Sequence, residues 1–250
     1  MKLIVSALAV IGAASLAFGQ TTSPSPAVES KPAASDAKSA APAARTDVYH
    51  VHFTKSALGK AAQHADSLKK QDPKAPMPGH YVMLRHQDGD AWDYCVIEHL
   101  GTKATVDAAR PAPPPGQRDL SDWHTDTYCS GPAWADFAHA LGLDDASKSG
   151  GSAYVVSVYR PAPGQRDALD KMLNEPPNRP TDTSSGNVVM QHLEGAAWTF
   201  LAIARYNSWE DFGKNEANSV AQTNKNQGGW FKLRDYVSFH TDTACDRIVP

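Results

Sequence analysis

Cysteine is scarce in this chain of 250 residues: there are three, at positions 95, 129 and 245. That is too few for the disulfide lattice that holds many small secreted domains together. No two of them stand in the C-x-x-C spacing of a zinc or redox pair, and no C-x-x-C-H run is present, which excludes covalently attached haem. Other absences narrow the function classes further. The chain contains no H-E-x-x-H, no G-x-S-x-G nucleophile elbow, no G-x-x-x-x-G-K phosphate loop and no G-x-G-x-x-G dinucleotide fingerprint. Charge of one sign is also missing in bulk: the formal net charge of −3 is spread out, without a basic block. Nucleic acid and anionic membrane surfaces are therefore poor partners. Beyond the N-terminal apolar run there is no hydrophobic stretch of about 20 residues, so no membrane span is expected.

The apolar run itself has the form of an export signal. Lys2 precedes LIVSALAVIGAASLAF, and the small-residue pattern Ala17-Phe18-Gly19 stands just before Gln20. Residues 1–19 read as a cleaved signal peptide, and the expected location is secreted or periplasmic. The first cysteine is Cys95, so no lipid acceptor stands near the cleavage point. Residues 20–46 are dominated by alanine, serine and proline, with Val28 their only strongly apolar side chain. Such a segment cannot bury enough surface to offset the entropy of ordering, and it reads as a disordered linker.

What the chain does contain is a copy of itself. WHTDTYC at 123–129 returns as FHTDTAC at 239–245. HYVMLRHQDGDAWDYCVIEH (80–99) matches NVVMQHLEGAAWTFLAIARY (187–206) at Val82-Met83, His86, Gly89 and Trp92. VYHVHF at 48–53 occupies the place of AYVVSVY at 153–159. Alternating apolar stretches, a helical stretch, two strands around a glycine turn, a second helical stretch and a last strand follow in the order β-α-β-β-α-β. In the second copy, Ser208 is expected to cap the helix SWEDFGKNEANSVAQ, and DYVSFHTDT (235–243) to form the last strand. In the first copy the second helix is reduced to TKATVDAA beside a proline-rich stretch. These readings place a first ferredoxin-like repeat at 47–131, a connecting helix (PAWADFAHALG) and Gly/Ser linker at 132–152, and a second ferredoxin-like repeat at 153–250. The HTDT segments are expected to mark equivalent strand ends.

Two such α+β units in tandem, with RPAPGQRDALDKML opening the second, resemble the dimeric α/β-barrel superfamily, including its antibiotic-biosynthesis-monooxygenase-like and NIPSNAP-like domains. The resemblance implies a pseudo-dimeric barrel within one chain, and hence a monomer, with sheets packed face to face and a pocket in each half. It does not imply one chemistry, because the superfamily hosts cofactor-free oxygenases, haem enzymes, isomerases and proteins without known activity. The function it implies is small organic ligand binding or monooxygenase-like oxidation. The alternatives are a noncatalytic structural or interaction domain, or a haem- or metal-binding protein. No cofactor is assigned.

Strand alternation divides the repeated segment into two faces. Trp123, Thr125 and Thr127, like Phe239, Thr241 and Thr243, share a face expected to meet the helix-covered core. His124 with Asp126, and His240 with Asp242, share the other. A histidine beside a carboxylate could act as a general base, which makes these four the candidate catalytic residues; the competing reading is that they close a strand end. Trp92 and Trp198, with His86 and His192, are the candidate pocket residues. His192 is also the least implausible axial ligand for a haem. His50, His52, His86, His99, Glu98, His124 and Asp126 could supply nitrogen and oxygen ligands from neighbouring strands. The second copy lacks counterparts of His50, His52 and His99, so a metal site there would be single. No spacing signature supports one, and none is assigned. Cys129 and Cys245 fall at equivalent places just after HTDT and are expected to pair as a disulfide if those places meet on a pseudo-twofold axis, leaving Cys95 as a packed thiol.

Overall fold

The computed structural model of the protein describes residues 44–69, 80–101, 117–144, 151–177 and 181–249. Residues 1–19, most of the linker and the TKATVDAA stretch lie outside the described residues. The alternating stretches form β1 (Asp47–Ser56), β2 (His80–Asp88), β3 (Tyr94–Gly101), β4 (Ser121–Gly131), β5 (Ala153–Pro161), β6 (Gly186–Glu194), β7 (Phe200–Tyr206) and β8 (Val237–Val249). The helices among the described residues are α1 (Ala61–Lys69), α2 (Trp134–Leu141), α3 (Arg166–Leu173), α4 (Trp209–Thr223) and α5 (Gly229–Tyr236). The class is α+β. As expected, α4 begins after Ser208, whose Oγ accepts the Asp211 N–H at 3.0 Å, with Glu210 and Asp211 in the first turn.

All strand neighbours are antiparallel, and the order β1-β3-β2-β8-β5-β7-β6-β4 closes on itself because β4 also pairs with β1. The pairings in the two runs match. β1 is flanked by β3 and β4 with β2 beyond β3, just as β5 is flanked by β7 and β8 with β6 beyond β7. The runs meet through β2–β8 and β4–β6. The registers also correspond: Tyr49 faces Cys129 and Tyr154 faces Cys245.

One face of every strand points into this ring. Tyr49, Val51, Leu84, Ile97, Tyr154, Met190 and Ile203 belong to the interior cluster, and full burial of such a side chain contributes roughly 1.5–3 kcal/mol. Helix α2 does more than connect. Phe137 and Leu141 belong to the same interior cluster. Tyr49 Oη donates to Pro132 O at 2.7 Å just before α2, and Tyr154 Oη donates to Leu141 O at 3.0 Å at its end. Two tyrosines in matching positions thus hold the two ends of one helix. Outside the ring, Ala65 and Leu68 of α1 pack with Met83, Tyr94 and Val96. Leu169 of α3 and Leu233 of α5 pack with Tyr159, Val189 and Phe200.

Three expectations change. The HTDT segments are not strand ends, since β4 continues to Gly131 and β8 to Val249. Asp235 and Tyr236, expected to open the last strand, belong to α5. The Cys129–Cys245 disulfide is absent: Cys95, Cys129 and Cys245 are all free and buried. The physical reason is their position in mid-strand, with β4 bonded to β1 and β6 while β8 is bonded to β2 and β5. Burial pushes all three thiols up, so they stay protonated and pack as small apolar groups.

Candidate functional site

The tight turns at Gly89 and Gly195 each lie against one of the two HTDT strands. Gly89, between β2 and β3, lies against the backbone of Asp242 and Thr243; Gly195, between β6 and β7, lies against that of Asp126 and Thr127. Each hairpin turn therefore crosses the HTDT strand of the opposite run. Thr243 Oγ1 accepts the Asp90 N–H at 3.2 Å.

Crossing there, the two turns deliver Trp92 and Trp198 to a cavity of about 460 Å³, within the range that holds small organic ligands. Phe53, Val156 and Val158 also line it. Trp123 and Phe239 line it too, and they are 36% and 43% exposed. Both runs contribute to this cavity, where the resemblance implies a pocket in each half. Its polar groups are the hydroxyls of Thr125, Thr241 and Thr243 and one carboxylate, Asp90. Asp90 Oδ2 accepts from Thr241 Oγ1 at 3.3 Å and Oδ1 accepts the Ala91 N–H at 2.8 Å. The matching position in the other turn is Ala196, so the polarity is one-sided.

Of the expected pocket residues, Trp92 and Trp198 line the cavity and His86 and His192 do not. Each imidazole instead stands edge-on to its tryptophan, at 5.8 Å for His86–Trp92 and 5.9 Å for His192–Trp198. His192 Nε2 accepts the Ala196 N–H at 3.2 Å, which braces the turn and keeps that nitrogen from any haem.

The candidate catalytic residues lie on the reverse face. Thr125 and Thr241 point to the cavity, so His124, Asp126, His240 and Asp242 point outward from the ring. This reverses the expected faces: the aromatic and threonine side meets the cavity, and the His-x-Asp side is outermost. His240 Nδ1 accepts from Arg234 Nη1 at 3.2 Å, and its ring lies parallel to Tyr159 at 6.0 Å. The other pair enters a larger cluster. His50 Nε2 and His52 Nδ1 approach the same Asp126 Oδ1 at 2.9 and 2.7 Å. Glu98 Oε2 lies 2.7 Å from His50 Nδ1, and His124 Nε2 lies 3.3 Å from Asp126 Oδ2. Burial alone would lower the His50 pKa, but the carboxylates of Asp126 and Glu98 on its two ring nitrogens outweigh burial and raise it. The hydrogen bonds from His50 and His52 hold Asp126 well below the usual carboxylate range. His86 and His99 are not part of this group; His99 Nε2 bonds Asp47 Oδ2 at 2.7 Å, and its ring stacks on Trp134 at 5.4 Å.

Asp90 and Phe53 are not among the residues that the sequence singles out, and Trp123 and Phe239 lie on the side opposite to the expected one. Strand alternation groups residues by face, but it does not tell which face is concave once a sheet closes.

No protein-family model matches the chain, and no curated protein matches it. Among solved structures it is similar to a candidate monooxygenase from Lactobacillus acidophilus, with a TM-score of 0.42 and 9% identity over 81% of this chain and 94% of that one. A likeness so distant transfers no activity.

Proposed function

We propose that the protein binds a small aromatic molecule bearing a positive charge or a hydrogen-bond donor. One observation carries this reading: three tryptophans, Trp92, Trp123 and Trp198, converge in an apolar cavity that holds a single carboxylate, Asp90. Aromatic walls favour a flat apolar body, and a lone carboxylate with low-polarity surroundings favours a cationic end. The described lining contains no histidine, cysteine, tyrosine or lysine. Binding of a small organic molecule is the reading that the aromatic lining and Asp90 support. The architecture is that of two tandem ferredoxin-like units forming a pseudo-dimeric α/β barrel. Its support is the matched pairing of β1–β4 and β5–β8. Because one chain then supplies both halves of the cavity, it works as a monomer.

Calorimetric titration with 1-naphthylmethylamine and 1-naphthalenemethanol tests the site. Both should bind, the amine more tightly. Trp198→Ala should weaken both about 10- to 100-fold, because the indole no longer covers the apolar face of the probe. Asp90→Asn should weaken the amine alone, by about tenfold. Failure of either compound to bind at millimolar concentration, or equal binding by Trp198→Ala, would overturn the reading.

Export is part of the same proposal and rests on Lys2, the apolar run and Ala17-Phe18-Gly19. Secreted material should begin near Gln20 by intact mass; exported protein that retains Met1 would contradict it.

A further inference from the structure

We propose that His50, His52 and Asp126 form a binding site for a divalent transition-metal ion, separate from the cavity on the opposite face of the same strands. The site is built by sheet register. His50 and His52 are two apart on β1 and so share a face. Across β1–β4, His52 stands opposite Asp126; across β1–β3, His50 stands opposite Glu98. Directly opposed residues have Cβ atoms about 4.5–5.5 Å apart, which lets short side chains converge.

They converge on one point. One ligand atom from each of His50, His52 and Asp126 lies within 4.8 Å of the other two. Two imidazoles and one carboxylate are the donors that suit zinc, copper and nickel, whereas calcium and magnesium take oxygen ligands. Glu98 beside His50 Nδ1 supplies the outer carboxylate that metal-bound histidines carry. With Nδ1–H donated to Glu98, Nε2 turns its lone pair toward Asp126 Oδ1 at 2.9 Å. A lone pair facing a carboxylate is unfavourable unless a cation, either a proton or a metal, lies between them. Asp126 is 45% exposed at its side chain, so an ion has a path from solvent and a fourth position is left for water.

The fold itself does not require these imidazoles. In the matching register of β5, β7 and β8, the positions of His50, His52 and Glu98 are held by Val155, Ser157 and Ala204, and only the aspartate recurs, as Asp242. Four ionisable groups have gathered on one side of the ring where its counterpart keeps one, Asp242.

The test uses the mature full-length protein, stripped with EDTA and titrated calorimetrically with zinc chloride at neutral pH. One equivalent should bind with micromolar affinity or better. His52→Ala and His50→Ala should each weaken binding at least 30-fold. His139→Ala, which removes an exposed histidine paired with Asp144, should leave it unchanged. Glu98→Gln keeps all three ligands and should weaken binding about 10- to 100-fold; it serves if a histidine variant fails to fold. Cobalt substitution should give the visible absorption of low-coordinate nitrogen and oxygen ligation, absent in His52→Ala. Unaltered zinc binding by a folded His50→Ala/His52→Ala protein, or no zinc binding by the wild type, would overturn the proposal. Naphthyl-probe binding by Asp126→Asn should persist, which separates failure here from failure of the cavity reading.

Discussion

Replacing Phe137 with alanine is expected to lower the unfolding free energy by about 3–5 kcal/mol. Phe137 is fully buried, and its ring stacks on Tyr49 at 4.9 Å and on Trp134 at 5.3 Å. It belongs to α2, a helix of 8 residues, too short to persist without tertiary packing. That packing is supplied by Phe137 and Leu141 inside the ring and by the Tyr49 and Tyr154 hydroxyls at the helix ends. Removing the ring opens a void beside Tyr49 and loosens the hold on Pro132. Chemical denaturation checks the value. Val220→Ala, on the outward side of α4 and 58% exposed, should change stability by less than about 0.5 kcal/mol. Equal destabilisation by the two variants would show that α2 is not part of the core.

Gly195→Ala is the second large effect, expected to cost about 2–5 kcal/mol. Gly195 has φ +105°, a conformation that L side chains rarely adopt, and a methyl there would meet Asp126 O at 2.2 Å. Positive φ alone costs roughly 1–2 kcal/mol, and forcing the crossing strand aside adds about 1–3 kcal/mol. Gly164 separates the two contributions, because it too has positive φ, +78°, but nothing lies within 4 Å of the added methyl. Gly164→Ala should therefore show only the conformational part. Gly89→Ala should behave like Gly195→Ala, since its methyl would meet Asp242 O at 2.4 Å. Denaturation curves of the three variants decide the matter: a Gly195→Ala destabilisation no greater than that of Gly164→Ala would mean the hairpin turn does not press on the HTDT strand. Naphthyl-probe binding should fall with it, because the turn carries Trp198.

Local order was written in the residues. Alternation set the strands, the Ser208 cap set the start of α4, and the glycine turns followed by Trp92 and Trp198 set both hairpins, since each depends only on neighbours along the chain. The histidine-rich face of the first copy, and its single occurrence, were legible for the same reason: residues two apart on a strand share a side. Which side that is was decided only when the sheet closed. An open two-layer unit would put the aromatic face of the HTDT strand under helices, whereas a closed ring turns the same face inward and leaves His124 and Asp126 outside. Long-range register likewise decided that His50, His52, Glu98 and Asp126 converge while His86 and His99 do not, and that Cys129 and Cys245 stay apart. It also converted α2 from a connector into part of the core, because Phe137 and Leu141 find their partners only where strands distant in sequence come together.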